Sequence, residues 1–514
     1  MIKKLITNIK NWSQKNPQEF WILVVILLIS AFFRLYRISD YMTFLGDEGR
    51  DVIVVHRFIT ELHPPLIGPG TSVGNMYLGP LYYYMMAPAL LLANFSPVGP
   101  AVQIAILGII TVWFIWYVFR IWFPTEKQNW GALIAAFLYA ISPTVINFSR
   151  SSWNPNIMPF FALLSIYSIW QVYKYSNFRW LIVLGVSFAC VLQSHYLGLL
   201  LAPTLFIFWL LTIRNLRIKS TVQFNKKFVI NSIIGLGIFL LLMSPLLFFD
   251  LRHHFQNFDA LKVFLASNKD IGFSFSTFAS RFISTTEMLF ANLIGGKNIY
   301  LGLSEIFVSF VIVIFLLKKR FSNPQLYLIV SWLLFGLLGL AYYKGAVYDH
   351  YLEFLFPIPF VLIGLLSKNI LESRKIILKI FLFAFLVYLV VISILNNPPI
   401  VDPTFQLPRA ISVAKVIQEK ANGQRFNLAS ISDFGNRDVY EYFLLIWHTK
   451  IVDTDPSSLQ FTITDQLFVV CEFPVEKCDP IHDSSAWITN FGWTKITDQW
   501  PVWGGTLFKL GHTK

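Results

Sequence analysis

The feature that most constrains this chain is a series of long apolar runs that repeats from near the N-terminus to about residue 395. A helix that crosses the hydrocarbon core of a bilayer needs about 17–25 predominantly apolar residues, and the runs reach or approach that length between polar or basic breaks. The sequence therefore predicts an α-helical polytopic membrane protein. The twelve runs lie near residues 20–38, 79–95, 101–121, 130–147, 157–173, 180–194, 196–213, 228–248, 301–317, 325–342, 351–367 and 376–395.

The composition agrees with a membrane protein and excludes several other classes. The chain of 514 residues is 55% hydrophobic and only 13% charged, whereas soluble domains carry about 25% charged residues. A cytosolic enzyme, a disordered chain and a disulfide-stapled secreted module are therefore excluded. Three cysteines exclude a cysteine-rich metal scaffold.

Lysine and arginine cluster at alternate ends of the apolar runs, and this bias predicts the orientation. Because basic loops stay on the cytoplasmic side, the N-terminus is predicted to be cytoplasmic. The basic residues behind the net charge of +13 are spread over the N-terminus and five connections, which we call the six basic ends. They do not indicate a nucleic-acid partner, which would need one basic face. The six basic ends contain Lys3, Lys4, Lys10 and Lys15; Arg120 and Lys127; Lys174 and Arg179; Arg214, Arg217, Lys219, Lys226 and Lys227; Lys318, Lys319 and Arg320; and Lys368, Arg374 and Lys375.

One early run is predicted not to cross the membrane. If all twelve crossed, the basic end at Arg120 and Lys127 would lie outside, against the positive-inside bias. The run at 79–95 is short and contains Pro80 and Pro88. We interpret it as a re-entrant or juxtamembrane helix on the outer side, with a tilted full span as the alternative. About eleven transmembrane helices then remain, in a bacterial-type plasma membrane.

Three regions are predicted to lie on the extracytoplasmic face. Within the transmembrane domain (1–396), they are a first outer loop at 39–79 and a large outer loop at 249–300. The third, 397–514, alternates helical and extended patterns and predicts a small extracytoplasmic α/β domain. All nine histidines fall on this face. Cys471 and Cys478 also lie there, where a local disulfide is expected to form.

The first outer loop contains an acidic motif that opens a helix. Asp47 and Glu48 follow Gly46, and Asp51 lies one turn further along the same face. Acidic residues at a helix start satisfy free amides and favour the helix dipole, so a capping role is one interpretation. The other is a general base near the membrane surface, where an ionised carboxylate accepts a proton from a hydroxyl.

Further polar clusters lie at the outer ends of other runs. A lone outer arginine, Arg150, runs against the orientation bias and suggests an anionic partner. His195 lies between two short runs, where a functional role or a hydrogen-bonded structural role is open. If the site binds an anion or releases an anionic leaving group, cations or a metal must stabilise the negative charge. The candidate binding residues in these clusters are Arg150, Asn154, Asn156, His195, Arg252, His253, Lys344 and His350.

The acidic loop motif at 47–50, the proline-rich aromatic helix after it and a late basic-aromatic outer loop together resemble the GT-C glycosyltransferases, nearest to the protein O-mannosyltransferase and aminoarabinose transferase group (glycosyltransferase family 39-like). The similarity covers about residues 15–395. It implies an inverting enzyme that takes a hexosyl or pentosyl group from a polyprenyl-phosphate sugar on the extracytoplasmic face. The acceptor, a hydroxyl or amine, would belong to a lipid, glycan or protein.

The resemblance also implies site roles. Asp47 would be the general base, with Glu48 and Arg50 holding the loop or the donor phosphate. His195 matches the position of a family histidine. Asn154 and Asn156 stand where relatives carry a carboxylate, and no acid precedes the proline-rich helix, so no metal ligand is assigned. A divalent metal stays open, and no other cofactor is assigned.

Two alternative functions remain at this point. A transporter or flippase of lipid-linked sugars would place ionisable residues near the bilayer midplane, often in repeated halves, and no internal repeat is evident. A lipid-linked glycan ligase or polymerase would use similar donors, but would lack the early acidic loop.

Overall fold

The computed structural model describes residues 12–219, 222–266, 274–294, 323–343, 345–433 and 435–513. The predicted run at 301–317 lies outside the described residues, as do Lys3, Lys4, Lys10, Lys318, Lys319 and Arg320. The described helices of the membrane portion are Pro17–Leu35, Ile38–Tyr41, Gly46–Glu61, Leu81–Leu92, Val98–Trp122, Trp130–Ile141, Pro143–Phe148, Met158–Tyr175, Trp180–Ser194, Ala202–Lys219, Val222–Arg252, Gln256–Ala266, Phe275–Leu293, Pro324–Tyr342, Pro357–Glu372 and Ile376–Leu395. Short 3₁₀ helices span Asn154–Ile157, Tyr196–Leu201 and Asp349–Leu355.

Six helices among the described residues are long and apolar enough to cross a membrane, and a pair bent by 52° would make a seventh. They coincide with seven of the predicted runs, which confirms a polytopic helical fold. The total of eleven spans stays a prediction. The six helices are Pro17–Leu35, Val98–Trp122, Tyr196–Ile218, Asn225–Arg252, Pro324–Tyr342 and Ile376–Leu395, and the bent pair is Asp349–Leu355 with Pro357–Glu372.

The remaining described runs form shorter or broken apolar helices. The predicted re-entrant run contains Leu81–Leu92, with 12 residues, which is well short of the roughly 20 residues that a crossing needs. The run at 130–147 is broken after Ile141, because Pro143 lacks the amide that would continue the helix.

An ion pair near the N-terminus supports the parity argument for the re-entrant helix. Glu19, in the first turn of Pro17–Leu35, is fully buried and pairs with Arg120 at the end of Val98–Trp122. The same carboxylate accepts a hydrogen bond of 2.9 Å from Trp116 Nε1. The N-terminal end and the basic end at Arg120 therefore lie on one side, as they would if the chain crossed twice between them.

The C-terminal portion is a small α/β domain. Its sheet consists of β1 (Asn427–Ile431), β2 (Gln466–Cys471), β3 (Thr494–Val502) and β4 (Gly505–His512). The strand order is β1-β2-β4-β3; β1 pairs with β2 in parallel, and the other two pairs are antiparallel. The predicted disulfide joins Cys471 and Cys478, whose Cα atoms lie 6.1 Å apart. The helices of this domain are Gln406–Ala421, Arg437–Ile446, Leu459–Thr462 and Ala486–Thr489.

This domain packs directly on the helix that carries the acidic motif. Phe443, on the Arg437–Ile446 helix, contacts Phe44 with ring centroids 6.0 Å apart. Gly49 lies directly against the Arg437–Ile446 helix, since a Cβ atom added to it would lie 2.6 Å from the backbone nitrogen of Val439. The position of the Gly46–Glu61 helix is therefore set partly by the C-terminal domain.

We expect Gly49→Ala to destabilise the protein by about 1–3 kcal/mol, because the added methyl group would press on the backbone at Val439. The midpoint of thermal unfolding in detergent should fall. Gly237→Ala is the matched control, since its added Cβ would meet no atom within 4 Å. Equal midpoints for the two variants would contradict this packing.

Candidate active site

The acidic motif forms the first turn of the Gly46–Glu61 helix, and its two carboxylates have different surroundings. Glu48 is 4% exposed, and its Oε2 accepts a hydrogen bond of 3.0 Å from the backbone amide of Leu45. Burial raises the pKa of Glu48 to about 7. The Asp47 side chain is 50% exposed. Glu48 therefore caps the helix, whereas Asp47 is available to a ligand.

Asp47 belongs to a chain of charged and polar contacts that ends inside the protein. Arg50 Nη1 lies 2.7 Å from Asp47 Oδ1, and Arg50 Nη2 lies 2.7 Å from Asp51 Oδ1. Asp51 is fully buried and also accepts a hydrogen bond of 3.1 Å from the Tyr83 hydroxyl. Burial raises the pKa of Asp51, and the Arg50 guanidinium opposes that shift. Arg50 thus bridges a buried carboxylate and an accessible one.

Asp47 lines a cavity of about 160 Å³ that we call the histidine cavity. Three connections between helices meet at this cavity. They contribute Asn154, His195 and His350, and they lie on one side of the helical bundle. The Trp153 and His350 rings lie 4.5 Å apart, and those of His195 and Tyr351 lie 4.9 Å apart. Its lining residues are Asp47, Arg50, Pro69, Gly70, Thr71, Ser72, Leu78, Trp153, Asn154, Pro155, His195, Tyr196, His350 and Tyr351.

His195 is a neutral hydrogen-bonding group in this cavity. Its Nδ1 accepts a hydrogen bond of 3.2 Å from the amide of Leu197, which assigns the proton of the neutral ring to Nε2. Burial, with a smaller contribution from His350, lowers the pKa of His195 to about 3. His195 can therefore donate a hydrogen bond through Nε2, but it carries no positive charge near neutral pH.

We expect His195→Ala to reduce turnover about tenfold to a hundredfold, as for loss of a hydrogen bond to a charged group. Because the pKa is lowered from 6.5 to about 3, the ring is neutral throughout pH 5–8, and the variant should keep the limbs of the wild-type rate–pH profile. Measurement of kcat/KM across that range checks this. Loss of a limb near pH 6–7 would show instead that His195 titrates during the reaction.

A second cavity, of about 310 Å³, shares Asp47 and Trp153 with the first. We call it the amide cavity, and it contains the predicted residues Glu48 and Asn156. Asp47 thus stands at the wall between the two cavities. The other lining residues of the amide cavity are Thr43, Leu45, Gly46, Asn147, Phe148 and Ser151.

The structure does not bring three of the predicted residues into either cavity. Arg150 is 2% exposed; its Nη2 donates a hydrogen bond of 2.9 Å to Tyr36 O, and the guanidinium lies over the Tyr41 ring. Arg252 and His253 are exposed at the end of the Val222–Arg252 helix. Lys344 lies outside the described residues.

Sequence reasoning did not assign site roles to Asp51, Tyr83, Trp153 or Tyr351. The spacing of Asp47 and Asp51 by four residues was a usable signal, since it places both on one helix face. Tyr83 belongs to the proline-rich aromatic helix that follows the acidic motif. Nothing in its local sequence indicates that its hydroxyl reaches Asp51, because that contact depends on how two helices pack.

The carboxylates of this site do not form a metal site. In the part of the chain that the structure describes, no group of three or more His, Cys, Asp or Glu side chains is placed to hold a metal ion. Asp47 and Asp51 both direct Oδ1 at Arg50, so a cation is already supplied by the chain. The residues present do not fit a divalent ion, and no step of the reaction proposed below uses one.

Comparisons with known proteins agree with this architecture. Residues 78–249 match the model of the dolichyl-phosphate-mannose-protein mannosyltransferase family. No curated protein matches the sequence.

Three solved structures share the fold at low identity. ArnT from Cupriavidus metallidurans, bound to undecaprenyl phosphate, is 10% identical with a TM-score of 0.58, over 95% of this chain and 97% of its own. The oligosaccharyltransferase of Archaeoglobus fulgidus is 12% identical with a TM-score of 0.53, over 83% of this chain and 64% of its own, so this chain spans less than two thirds of that protein. Arabinofuranosyltransferase AftD from Mycobacteria is 14% identical with a TM-score of 0.50, over 96% of this chain and 41% of its own.

The chain is thus a multi-pass membrane protein with the GT-C fold of integral membrane glycosyltransferases, as the sequence resemblance predicted. Within the segment 78–249 it is also similar to the dolichyl-phosphate-mannose-protein mannosyltransferase family.

Proposed function

We propose that the protein is an inverting glycosyltransferase that moves a sugar from a polyprenyl-phosphate donor to an acceptor hydroxyl on the extracytoplasmic side of the membrane. The observation that carries this proposal is the position of Asp47. Its half-exposed carboxylate stands at the wall between two cavities and is paired with Arg50. A group placed between two ligand spaces can act on an atom that passes from one ligand to the other.

The proposed chemistry is a single displacement. The acceptor hydroxyl oxygen attacks C1 of the donor sugar, and the bond from C1 to the phosphate oxygen breaks, with its electron pair going to polyprenyl phosphate. The acceptor proton passes to a carboxylate oxygen of Asp47, which acts as general base. The configuration at C1 inverts because the attack and the departure occur on opposite faces.

The leaving phosphate develops negative charge that the site must stabilise. Arg50, whose side chain is 32% exposed, and the Nε2–H of His195 both belong to the histidine cavity, so we assign the donor phosphate to that cavity. His350 and Asn154 line the same space.

The comparisons support the donor class but do not name the sugar. The matched family is described as using dolichyl-phosphate mannose, and ArnT was determined with undecaprenyl phosphate. A polyprenyl-type phosphate is common to both, and this supports a polyprenyl-phosphate sugar as the donor of this chain. The positive-inside bias supports an outer location for the site, because the basic chain ends are predicted to be cytoplasmic.

Release of polyprenyl phosphate tests this function. Purified protein is incubated with polyprenyl-phosphate mannose, glucose, galactose and arabinose together with a crude cell-envelope glycan extract. We expect one donor to yield free polyprenyl phosphate and a sugar-labelled acceptor. If reconstituted vesicles move the intact donor across the bilayer without cleaving it, the protein is a transporter.

A further inference from the structure

The amide cavity differs from the histidine cavity in the chemistry of its wall. Apart from Asp47 and Glu48, its lining residues are all uncharged. Glu48 is engaged by the helix cap, and burial raises its pKa to about 7. A ligand beside the described wall of this cavity therefore meets amide, hydroxyl and aromatic groups, together with the half-exposed carboxylate of Asp47.

Within the described part of the chain, one buried side-chain oxygen in this wall has no hydrogen-bond partner. Asn156 is 7% exposed, and its Nδ2 donates hydrogen bonds of 2.6 Å to Phe148 O and 2.7 Å to Ser151 O. Among the described residues, nothing donates a hydrogen bond to its Oδ1. A buried acceptor without a partner is costly. Because Asn156 belongs to the lining of the amide cavity, an O–H donor of a ligand that packs against it would satisfy this oxygen.

The same wall is poorly suited to an anionic ligand. The arginine closest in sequence, Arg150, is directed at Tyr36 O and the Tyr41 ring instead. No lysine, arginine or histidine lines the described wall of the cavity. A phosphate group brought here would face the Asp47 carboxylate and would be repelled. The cation paired with that carboxylate, Arg50, lines the histidine cavity and not the described wall of this one.

We propose that the amide cavity binds the acceptor as a neutral sugar, whose attacking hydroxyl faces Asp47 and whose other hydroxyls reach Asn156 and Thr43. Trp153 supplies the aromatic surface that sugar rings use. The volume of about 310 Å³ is at the small end of ligand pockets, which run to about 1,000 Å³, and suits one sugar unit at the end of a glycan. This inference rests on the proposed function and adds the class of acceptor to it.

The reaction remains balanced with this acceptor. A new bond forms between the acceptor hydroxyl oxygen and C1 of the donor sugar, the bond from C1 to the phosphate oxygen breaks, and the hydroxyl proton goes to Asp47. The products are a lengthened neutral glycan and polyprenyl phosphate.

An acceptor panel tests the inference. With the donor that the protein cleaves, we compare neutral octyl hexosides, the same hexosides carrying a 6-phosphate, and peptides rich in serine and threonine. We expect the neutral hexosides to be the preferred acceptors, by at least about tenfold in kcat/KM, as for one mispaired charge or hydrogen bond. Preference for the phosphorylated hexosides or for the peptides would overturn the inference.

Two variants locate the acceptor in this cavity. Asn156→Ala and Thr43→Val should each raise KM for the neutral acceptor about tenfold, and KM for the donor should stay within about twofold. Thr43→Val removes a partly exposed hydroxyl with little change in shape, so it remains informative if Asn156→Ala folds poorly. Thr60→Val, on the exposed far end of the Gly46–Glu61 helix, is the matched control.

The outcomes separate the two proposals. Without donor cleavage under any acceptor condition, the proposed function fails. If the donor is cleaved and both variants raise KM for the donor rather than for the acceptor, only the assignment of this cavity fails.

Discussion

Asp47→Asn is expected to reduce sugar transfer by about 10²- to 10⁴-fold, the contribution of a positioned general base. Asparagine keeps the size of the side chain and an oxygen that can accept the hydrogen bond from Arg50 Nη1, but it cannot take up the acceptor proton. The protein should therefore fold and insert normally. The measurement is transfer of labelled sugar by purified protein at saturating donor.

Glu61→Gln is the matched control for this change. Glu61 is exposed at the other end of the same helix, and its replacement removes one negative charge without touching either cavity. It should transfer sugar at the wild-type rate. An Asp47→Asn protein with near wild-type turnover would remove Asp47 from the role of base.

Asp51→Asn is expected to lower turnover strongly, although Asp51 does not line either cavity among the described residues. Asp51 holds Arg50 through contacts of 3.0 Å to Nε and 2.7 Å to Nη2. Breaking a fully buried ion pair lowers the free energy of unfolding by about 3–5 kcal/mol. Because Arg50 is partly exposed and keeps Asp47 as a partner, we expect the free energy of unfolding to fall by about 1–3 kcal/mol in this variant. A loosened Arg50 would orient Asp47 less well.

A double-mutant cycle separates this positioning role from a general loss of stability. If Asp51 acts through Arg50, then Asp51→Asn should add little to the loss of kcat already caused by Arg50→Gln, since residues in one network are not additive. If the two substitutions lowered kcat independently, so that their effects multiplied in the double variant, the positioning role of Asp51 would be contradicted. Tyr82→Phe is the control for packing of the neighbouring Leu81–Leu92 helix, because the Tyr82 hydroxyl contacts Ser152 and not Asp51.

The apolar pattern predicted the helical portion well because each spanning helix carries its own signal. Hydrophobic runs such as 101–121 and 376–395 reappear as Val98–Trp122 and Ile376–Leu395. Proline explains the break at Pro143, where a continuous run had been predicted. The disulfide between Cys471 and Cys478 was also foreseeable, because a short loop keeps two cysteines close whatever the rest of the domain does.

The candidate site was only partly predictable. Asp47 was identified from its position at the start of an outer helix. Arg150 and His195 were both predicted to bind a ligand, because both are polar residues at ends of apolar runs that are predicted to lie outside. The direction of a side chain decides between them, and Arg150 points at the carbonyl of Tyr36, while His195 lines the histidine cavity.

The sequence alone determined that this protein is a polytopic helical membrane protein with an acidic first loop and a C-terminal α/β domain. Those properties depend on local patterns of apolar and charged residues, because each segment enters the bilayer according to its own length and hydropathy. Only the tertiary structure decided that Glu48 caps a helix while Asp47 faces two cavities, and that Asp51 and Tyr83 support Arg50. These facts depend on where residues far apart in the chain converge, and packing rather than periodicity determines that convergence.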